Sequence, residues 1–433
     1  MDLFLAAEDS LRLLRHARRS EGLMLVPAER HAVEAADARV DPERLADMLP
    51  RELFSPARDR PVALRFPSES SRSQSTLVRA SPNLGRLPEG SYLEVLDACG
   101  DPSPFSAGHE GHVYVESSAL TVTSAARALY RSVSRELLSG NAALIRLSAL
   151  AMELLGSYAR SPTHPAGGRI VYDLEPLSST RAVSERLAQM GGTHGTKLAR
   201  RAVSLANDGS GSPMETLWYF AFCLPPRLGG IHLERPLQNV AIAWPEGARE
   251  LACHDRLRPD FHWPRYGRVG EYDSELHKSP AAFYEDRNRA KDYALCHLAY
   301  FPITDRDSAS EAAMLAFLRQ LVRSIEEVED DVFRRRMRRV LDDPEVRAAR
   351  ALLRSLLMPP RCATRTEARA PLHAKTKASR THRLRIGEKD AQSTHLRLRV
   401  PRARKTAIAR PRADAQGRAI ARFRKLSITR DAR

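Results

Sequence analysis

Residues 258–273 read RPDFHWPRYGRVGEYD, and this stretch decides the fold expected for the C-terminal half of the chain. Short β-prone runs at 258–263 and 268–274 predict two strands, which the Pro- and Gly-containing segment 264–267 joins as a turn. Strand residues two positions apart face the same side, so Glu271 and Asp273 are expected to point together. If the two strands form a hairpin, Asp260 approaches both acids across the ladder.

Further elements are predicted around this hairpin, and their order indicates a mixed sheet flanked by helices. They are a helix capped by Ser212 and begun at Pro213, a strand at 239–244, a helix from near Pro280, a strand at 300–304 and a helix capped by Ser308. Glu215 lies in the first turn of the first of these helices. A three-strand meander followed by a helical crossover to a further strand is therefore the expected topology.

The clustered carboxylates are the candidate chemistry of this region. Several carboxylates within a few ångströms repel one another unless a cation neutralises them. A hard divalent ion with oxygen ligands, Mg²⁺ or Mn²⁺, fits that requirement. Such an ion can polarise a phosphodiester for in-line attack by water.

Pro259-Asp260 followed by Glu271-x-Asp273, with Glu215 on the preceding helix, resembles the PD-(D/E)XK nuclease superfamily. Within it, residues 258–278 are similar to a bacterial family of unknown function related to very-short-patch-repair endonucleases. The matching residues are Pro259, Asp260, Phe261, Trp263, Pro264, Glu271, Tyr272, Asp273, His277, Asp286 and Arg289.

The resemblance implies a restriction-endonuclease-like fold over residues 212–307 and Mg²⁺- or Mn²⁺-dependent cleavage of DNA, in repair or in defence against foreign DNA. It implies that Asp260 and Glu271 are metal ligands and that Glu215 is an outer or second-metal ligand. Asp273 would be a further ligand or an orienting group. His277 is either a general base or water-orienting group, or a histidine on a surface loop.

One position departs from the superfamily pattern, which has Lys two residues after the second acid, where Asp273 stands here. The missing cation could come from elsewhere: the candidates are Lys278, Arg287, Arg289 and Lys291. Two alternatives to an enzyme therefore stay open. The first is a non-catalytic DNA-binding or antitoxin-like regulatory protein built on a decayed nuclease core, with a toxin-type protein partner. The second is an interaction protein with no nucleic-acid role.

The chain divides by character into three parts: an α+β region at 1–190, the nuclease-like α/β domain with its following helices at 191–357, and a basic tail at 358–433. Within the first part, residues 1–50 are expected to be helical, short strands to fill 61–115, a helix to begin after Thr123, and a strand to lie at 168–174. The tail is expected to be disordered because it offers little apolar surface to bury.

The net charge of +16 is located in that tail. Residues 359–433 contain 22 Lys and Arg against 5 Asp and Glu, so the remaining chain, with 47 basic and 48 acidic residues, is nearly neutral. Clustered basic residues are typical of phosphate-backbone contact. An Arg-, Ala- and Thr-rich tail is also what reading past a frameshift in a GC-rich gene produces, and both interpretations stay open.

Other signals exclude several classes of protein. No run approaches the roughly 20 apolar residues that a membrane span needs, so a cytoplasmic protein with no membrane segment is expected. The five cysteines form no CxxC pair, so no zinc ribbon or disulfide framework is predicted, and buried thiols are expected. Trp263 and Tyr272 are expected to pack in the core or at its edge rather than to stack on bases. LPPRLGG at 224–230 is a helix stop and turn rather than a phosphate loop.

Overall fold

The computed structural model describes residues 2–28, 42–55, 58–66, 75–81, 87–102, 104–105, 111–273 and 280–358. His277 and the basic tail from residue 359 onward lie outside these ranges, so the predictions for them stay predictions. All described residues belong to one compact unit. None of the helices in these ranges combines the length and the apolar character that crossing a membrane requires.

Short apolar runs separated by Ser, Pro and Gly form the strands of the N-terminal region, as the sequence predicts for 61–115. The elements are β1 (Leu3–Phe4), α1 (Ala7–Arg19), β2 (Leu23–Pro27), α2 (Pro42–Asp47), β3 (Val62–Arg65), β4 (Val78–Ser81), β5 (Tyr92–Asp97) and β6 (Val113–Glu116). One sheet has the order β1-β6-β5-β2, and β3 pairs with β4 in parallel in a second. The prediction that residues 1–50 are helical is wrong for β1 and β2, because pairing with β6 and β5 decides their conformation.

A helical block follows the N-terminal sheet. It consists of α3 (Ser118–Ser134), α4 (Gly140–Leu155), α5 (Thr180–Gln189) and α6 (Thr196–Val203). Helix α3 begins earlier than predicted, with Ser117 at its N-cap, and the hydroxyl of Thr123 donates to the Ala119 carbonyl inside the helix. The predicted strand at 168–174 is wrong as well, since only a single bridge between Ala159 and Val171 forms there.

Residues 213–357 contain the mixed sheet expected around the hairpin. Its elements are α7 (Pro213–Cys223), β7 (Phe261–Trp263), β8 (Arg268–Asp273), α8 (Pro280–Leu295), β9 (Ala299–Thr304), α9 (Glu311–Ile325), α10 (Asp331–Asp342) and α11 (Pro344–Leu357). β7 pairs with β8 antiparallel and β8 with β9 in parallel, so the hairpin and the crossover through α8 are confirmed. The α/β class with mixed sheets is therefore confirmed.

The strand predicted at 239–244 is wrong, because this segment forms only single bridges, from Leu237 to His262 and from Ile242 to Leu257. Asn239 has a φ of +53°, a left-handed conformation that interrupts an extended strand. The last helix is also capped differently from the prediction: Ser310, not Ser308, accepts the N–H of Ala313 at the start of α9.

Helices cover both faces of the β7-β8-β9 sheet. On one face, Tyr293 of α8 packs in a small cluster with Val269 and Leu257. On the other face, the Phe222 ring of α7 lies edge-on to the rings of Phe261 and Trp263, with centroids 5.3 and 5.1 Å apart. Trp263 is buried, so its predicted packing role is confirmed.

One apolar core runs through the described chain on both sides of residue 190. It contains Leu13 of α1, Leu147 of α4, Leu217 of α7 and Leu353 of α11. Polar contacts cross the same region, because the hydroxyls of Tyr158 and Thr216 lie 3.1 Å apart. The division of the chain near residue 190 stays a prediction, but the core is continuous across it.

The prediction that the thiols are buried is correct for only some of the described cysteines. Cys223 is buried as predicted, whereas Cys99 and Cys253 are exposed, and all the cysteines in the described ranges are free.

Candidate functional site

The β7–β8 hairpin places Asp260 next to Glu271. Phe261 is the register partner of Gly270, so Asp260 and Glu271 follow on directly at the open end of this antiparallel pair. The Asp260 Oδ2 atom accepts the backbone N–H of Tyr272 at 2.8 Å. This contact holds the Asp260 carboxylate against β8, one residue beyond Glu271.

The alternation of side chains along β8 decides which face carries the acids. Val269 faces α8, so Glu271 and Asp273 face α8 as well. Glu271 is only 5% exposed, and the Arg289 guanidinium and the Tyr293 hydroxyl both donate to its carboxylate. Arg289 and Tyr293 are four residues apart on α8 and therefore share one side of that helix.

Burial and the charge of Glu271 both shift the pKa values of Arg289 and Tyr293. Burial lowers the pKa of Arg289, but the Glu271 carboxylate outweighs it, and the pKa of Arg289 is raised above its ordinary value. Burial, and then the charge of Glu271, raise the pKa of Tyr293, so its hydroxyl stays protonated and remains a donor. Glu271 is thus a buried carboxylate held by one cation and one neutral donor.

Asp273 ends β8, half-buried, where the superfamily pattern has Lys. The Tyr300 hydroxyl of β9 lies 3.5 Å from its Oδ2 atom. Of the cations proposed to replace the missing Lys, Arg289 contacts Glu271, an acid of the hairpin, and Lys291 donates to Asn288 at 3.3 Å. Lys278 lies outside the described residues.

Glu215 is linked to the hairpin by a series of hydrogen bonds. Its Oε2 atom accepts the N–H of Gly211 at 2.6 Å and the side-chain amide of Asn239 at 2.7 Å. The backbone N–H of Asn239 donates in turn to the carbonyl of Pro259, immediately before Asp260. Glu215 therefore holds the turn at Asn239 and, through it, the segment that leads into β7.

The local sequence explains why Glu215 lies there. Ser212 accepts the N–H of Glu215 at 3.1 Å as the N-cap of α7, with Pro213 at the first helical position, as predicted. Tyr272 packs at the edge of the core, and its hydroxyl donates to Asp305. His277 lies in the undescribed segment 274–279, so its role stays a prediction.

Sequence reasoning missed a histidine, His254, that contacts two acids of α8. His254 contacts carboxylates with both ring nitrogens, Asp292 through Nδ1 at 2.5 Å and Glu285 through Nε2 at 2.8 Å. Asp292 is fully buried and also accepts the N–H groups of Cys253 and His254, while Glu285 lies 3.8 Å from Arg289. Separations of 31 and 38 residues along the chain left no local pattern that could have revealed this cluster.

Within the described ranges, no group of three or more His, Cys, Asp or Glu side chains is arranged to hold a metal ion. Compared with known proteins, the chain matches no family model, and neither a curated protein nor a solved structure matches it. The assignment of a function therefore depends on the geometry of the hairpin edge.

Proposed function

We propose that residues 212–307 form a restriction-endonuclease-like core and that the protein is a Mg²⁺- or Mn²⁺-dependent DNA endonuclease. The observation that carries the proposal is the placement of Asp260 beside Glu271 at the open end of the β7–β8 hairpin, with the Arg289 guanidinium on Glu271. Two acids and one cation are thereby brought to one edge of a sheet from three separate elements.

The donor set fits a hard cation. Asp260 and Glu271 offer carboxylate oxygens, which Mg²⁺ and Mn²⁺ prefer. A carboxylate has about four acceptor positions, so Glu271 can accept from Arg289 and Tyr293 and still bind an ion. When bound, the ion would supply charge that polarises the phosphodiester.

Residues of the chain itself would orient the ligands and stabilise the charge on the phosphate. The Tyr272 N–H fixes the orientation of Asp260, and Arg289 stays charged at every working pH. The Arg289 side chain is 29% exposed, so a phosphate at the edge can reach its N–H donors. Arg289 would then stabilise the charge that develops on the phosphate, the role that the superfamily gives to the missing Lys.

A second candidate is a DNA-binding protein that does not cleave. It is favoured by the pairing of Glu271, whose charge Arg289 already matches without any ion, and by the lack of a three-ligand group among the described residues. In this case the hairpin edge has a structural role and nucleic acid is bound elsewhere.

Nicking of supercoiled plasmid by the full chain separates the two candidates. We expect weak nicking that requires Mn²⁺ or Mg²⁺ and stops with a chelator. Asp260→Asn and Glu271→Gln should each reduce it by about 100-fold or more, because each removes a charged ligand. Asp273→Lys, which restores the superfamily pattern, should preserve or raise it.

Glu327→Gln is the matched control, since Glu327 is an exposed acid that pairs with Arg268 at the other end of β8. Its nicking rate should equal that of the wild type. If wild type and all variants retard DNA in a gel but never nick it, the binding protein is the correct assignment. If none binds or nicks, both nucleic-acid proposals are wrong.

A further inference from the structure

Helix α10 exposes a set of arginines on the side away from the core. Phe333, Met337 and Leu341 recur every four residues and are buried, so the intervening positions face outward. The exposed basic residues are Arg335, Arg336, Arg338 and Arg339. The helix contains no Lys. These four residues are named the α10 arginine face.

The acids near this face are occupied by other partners. Those that precede the helix pair as Arg323–Glu326 at 3.0 Å, Arg268–Glu327 at 3.1 Å and Arg265–Glu329 at 2.7 Å. Asp331, in the first turn, pairs with Arg334 at 2.9 Å. The α10 arginine face forms no ion pair with any residue in the described ranges. Its four positive charges are thus without an ion pair in the described ranges, and the Arg336 guanidinium lies over the Phe333 ring, 5.3 Å from its centroid.

The face lies apart from the acidic edge of the hairpin. Glu329 precedes α10 and pairs with Arg265 in the β7–β8 turn, and Arg268 at the start of β8 contacts Ser324 at 3.1 Å. Glu271 and Asp273 lie three and five residues further along β8, roughly 10 and 16 Å from Arg268 at about 3.3 Å per residue. The start of α10 is thus near the turn end of the β7–β8 hairpin, and the acids of the proposed active site lie at its open end.

We propose that the α10 arginine face binds the phosphate backbone of double-stranded DNA without sequence preference. Duplex DNA carries about one negative charge per 1.7 Å of its axis, a regular charge density that suits an uninterrupted row of cations. Guanidinium groups bind phosphate oxygens in a bidentate manner, which explains a helix that uses Arg throughout. This inference extends the DNA partner of the proposed function but does not depend on cleavage.

The chain offers a closely matched pair of variants for the test. Arg335→Gln/Arg339→Gln removes two unpaired charges four residues apart on α10. Arg319→Gln/Arg323→Gln removes two exposed charges with the same spacing on α9, but these pair with Asp342 at 2.8 Å and Glu326 at 3.0 Å. Any difference between the two variants therefore reports on pairing and position rather than on net charge.

The measurement is the affinity of the full chain for a short fluorescent DNA duplex, by anisotropy, between about 50 and 200 mM salt. Each lost phosphate contact lowers the slope of log affinity against log salt by about 0.9. The α10 variant should thus lose about tenfold less affinity over this range than the wild type. The α9 control should retain the wild-type slope.

Equal slopes for the two variants would overturn the inference. If the α10 variant binds duplex normally but no longer binds poly-glutamate, the face recognises an acidic protein instead, and the inference is wrong. Failure of the proposed function appears separately: a chain that binds duplex through α10 but never nicks plasmid retains this surface and loses only the nuclease assignment.

Discussion

Replacing Arg289 by Met should destabilise the protein more than replacing its partner Glu271 by Gln. Arg289→Met leaves the buried Glu271 carboxylate with the Tyr293 hydroxyl and no ion pair to a described residue. Removing one partner of a buried pair costs about 3–5 kcal/mol, and because Arg289 is 29% exposed we expect about 2–4 kcal/mol. Glu271→Gln leaves a cation that water and Glu285 can reach, so we expect about 1–2 kcal/mol.

Urea unfolding at neutral pH measures both changes, and the double variant Glu271→Gln/Arg289→Met completes the cycle. The double variant should cost less than the sum of the single ones by about 1–2 kcal/mol, since the buried charge that Arg289→Met leaves behind is then gone. A cost for Arg289→Met within about 0.5 kcal/mol, as at an ordinary surface site, would refute the reasoning. It would mean that water already reaches Glu271.

The same variants report on metal binding without any measurement of activity. If Asp260 and Glu271 bind Mn²⁺, the ion should stabilise Arg289→Met more than the wild type, because it replaces the missing positive charge. Ion at about 100 times its dissociation constant would add about 2.7 kcal/mol. Asp260→Asn in the Arg289→Met background should abolish this gain, and an equal gain there would place the ion elsewhere.

Two further predictions concern stability. Burial lowers the pKa of His262 below its ordinary value of 6.5, so the unfolded chain binds more protons below that pH and stability should fall as pH decreases from 7 to 5. The slope from this one group is at most about 1.4 kcal/mol per pH unit, and His262→Gln should remove it from the pH profile of urea unfolding. Gly229 has a φ of +95°, and a Cβ there would lie 2.6 Å from the Arg350 Cα, so Gly229→Ala should cost about 2–4 kcal/mol. Gly100, with a φ of +90° and open space around it, is the control: Gly100→Ala should cost only about 1 kcal/mol, and equal losses would show that the contact with α11 does not matter.

Local patterns predicted the elements that local forces determine. The alternation in 258–274 predicted β7 and β8, and Ser212-Pro213 predicted the start of α7, because caps and strand alternation are short-range effects. β1 could not be predicted in this way, since Leu3 gains its strand conformation by pairing with Val113, 110 residues away.

In the candidate site, too, local features could be predicted from the sequence and long-range contacts could not. That Asp260 lies beside Glu271 followed from the hairpin register, which is a local property. That Arg289 reaches Glu271 depends on how α8 packs across the sheet. Four cations near the motif were equal candidates until that packing was known. Likewise, the left-handed φ of Asn239 ended a strand that NVAIAW predicted from its β-prone residues.

The continuous core bears on what happens when the chain is cut by a protease or its gene is recombined near residue 190. Helix α7 packs against the β7–β8 hairpin through Phe222, and it also contacts α4 and α11. A protease cut that released the residues before 211 would remove the α4 contact and expose the side of α7 that packs there. The acidic edge would not survive as a free fragment. The two halves of the chain should therefore be lost together, and a gene fusion or recombination event near residue 190 should yield no stable product.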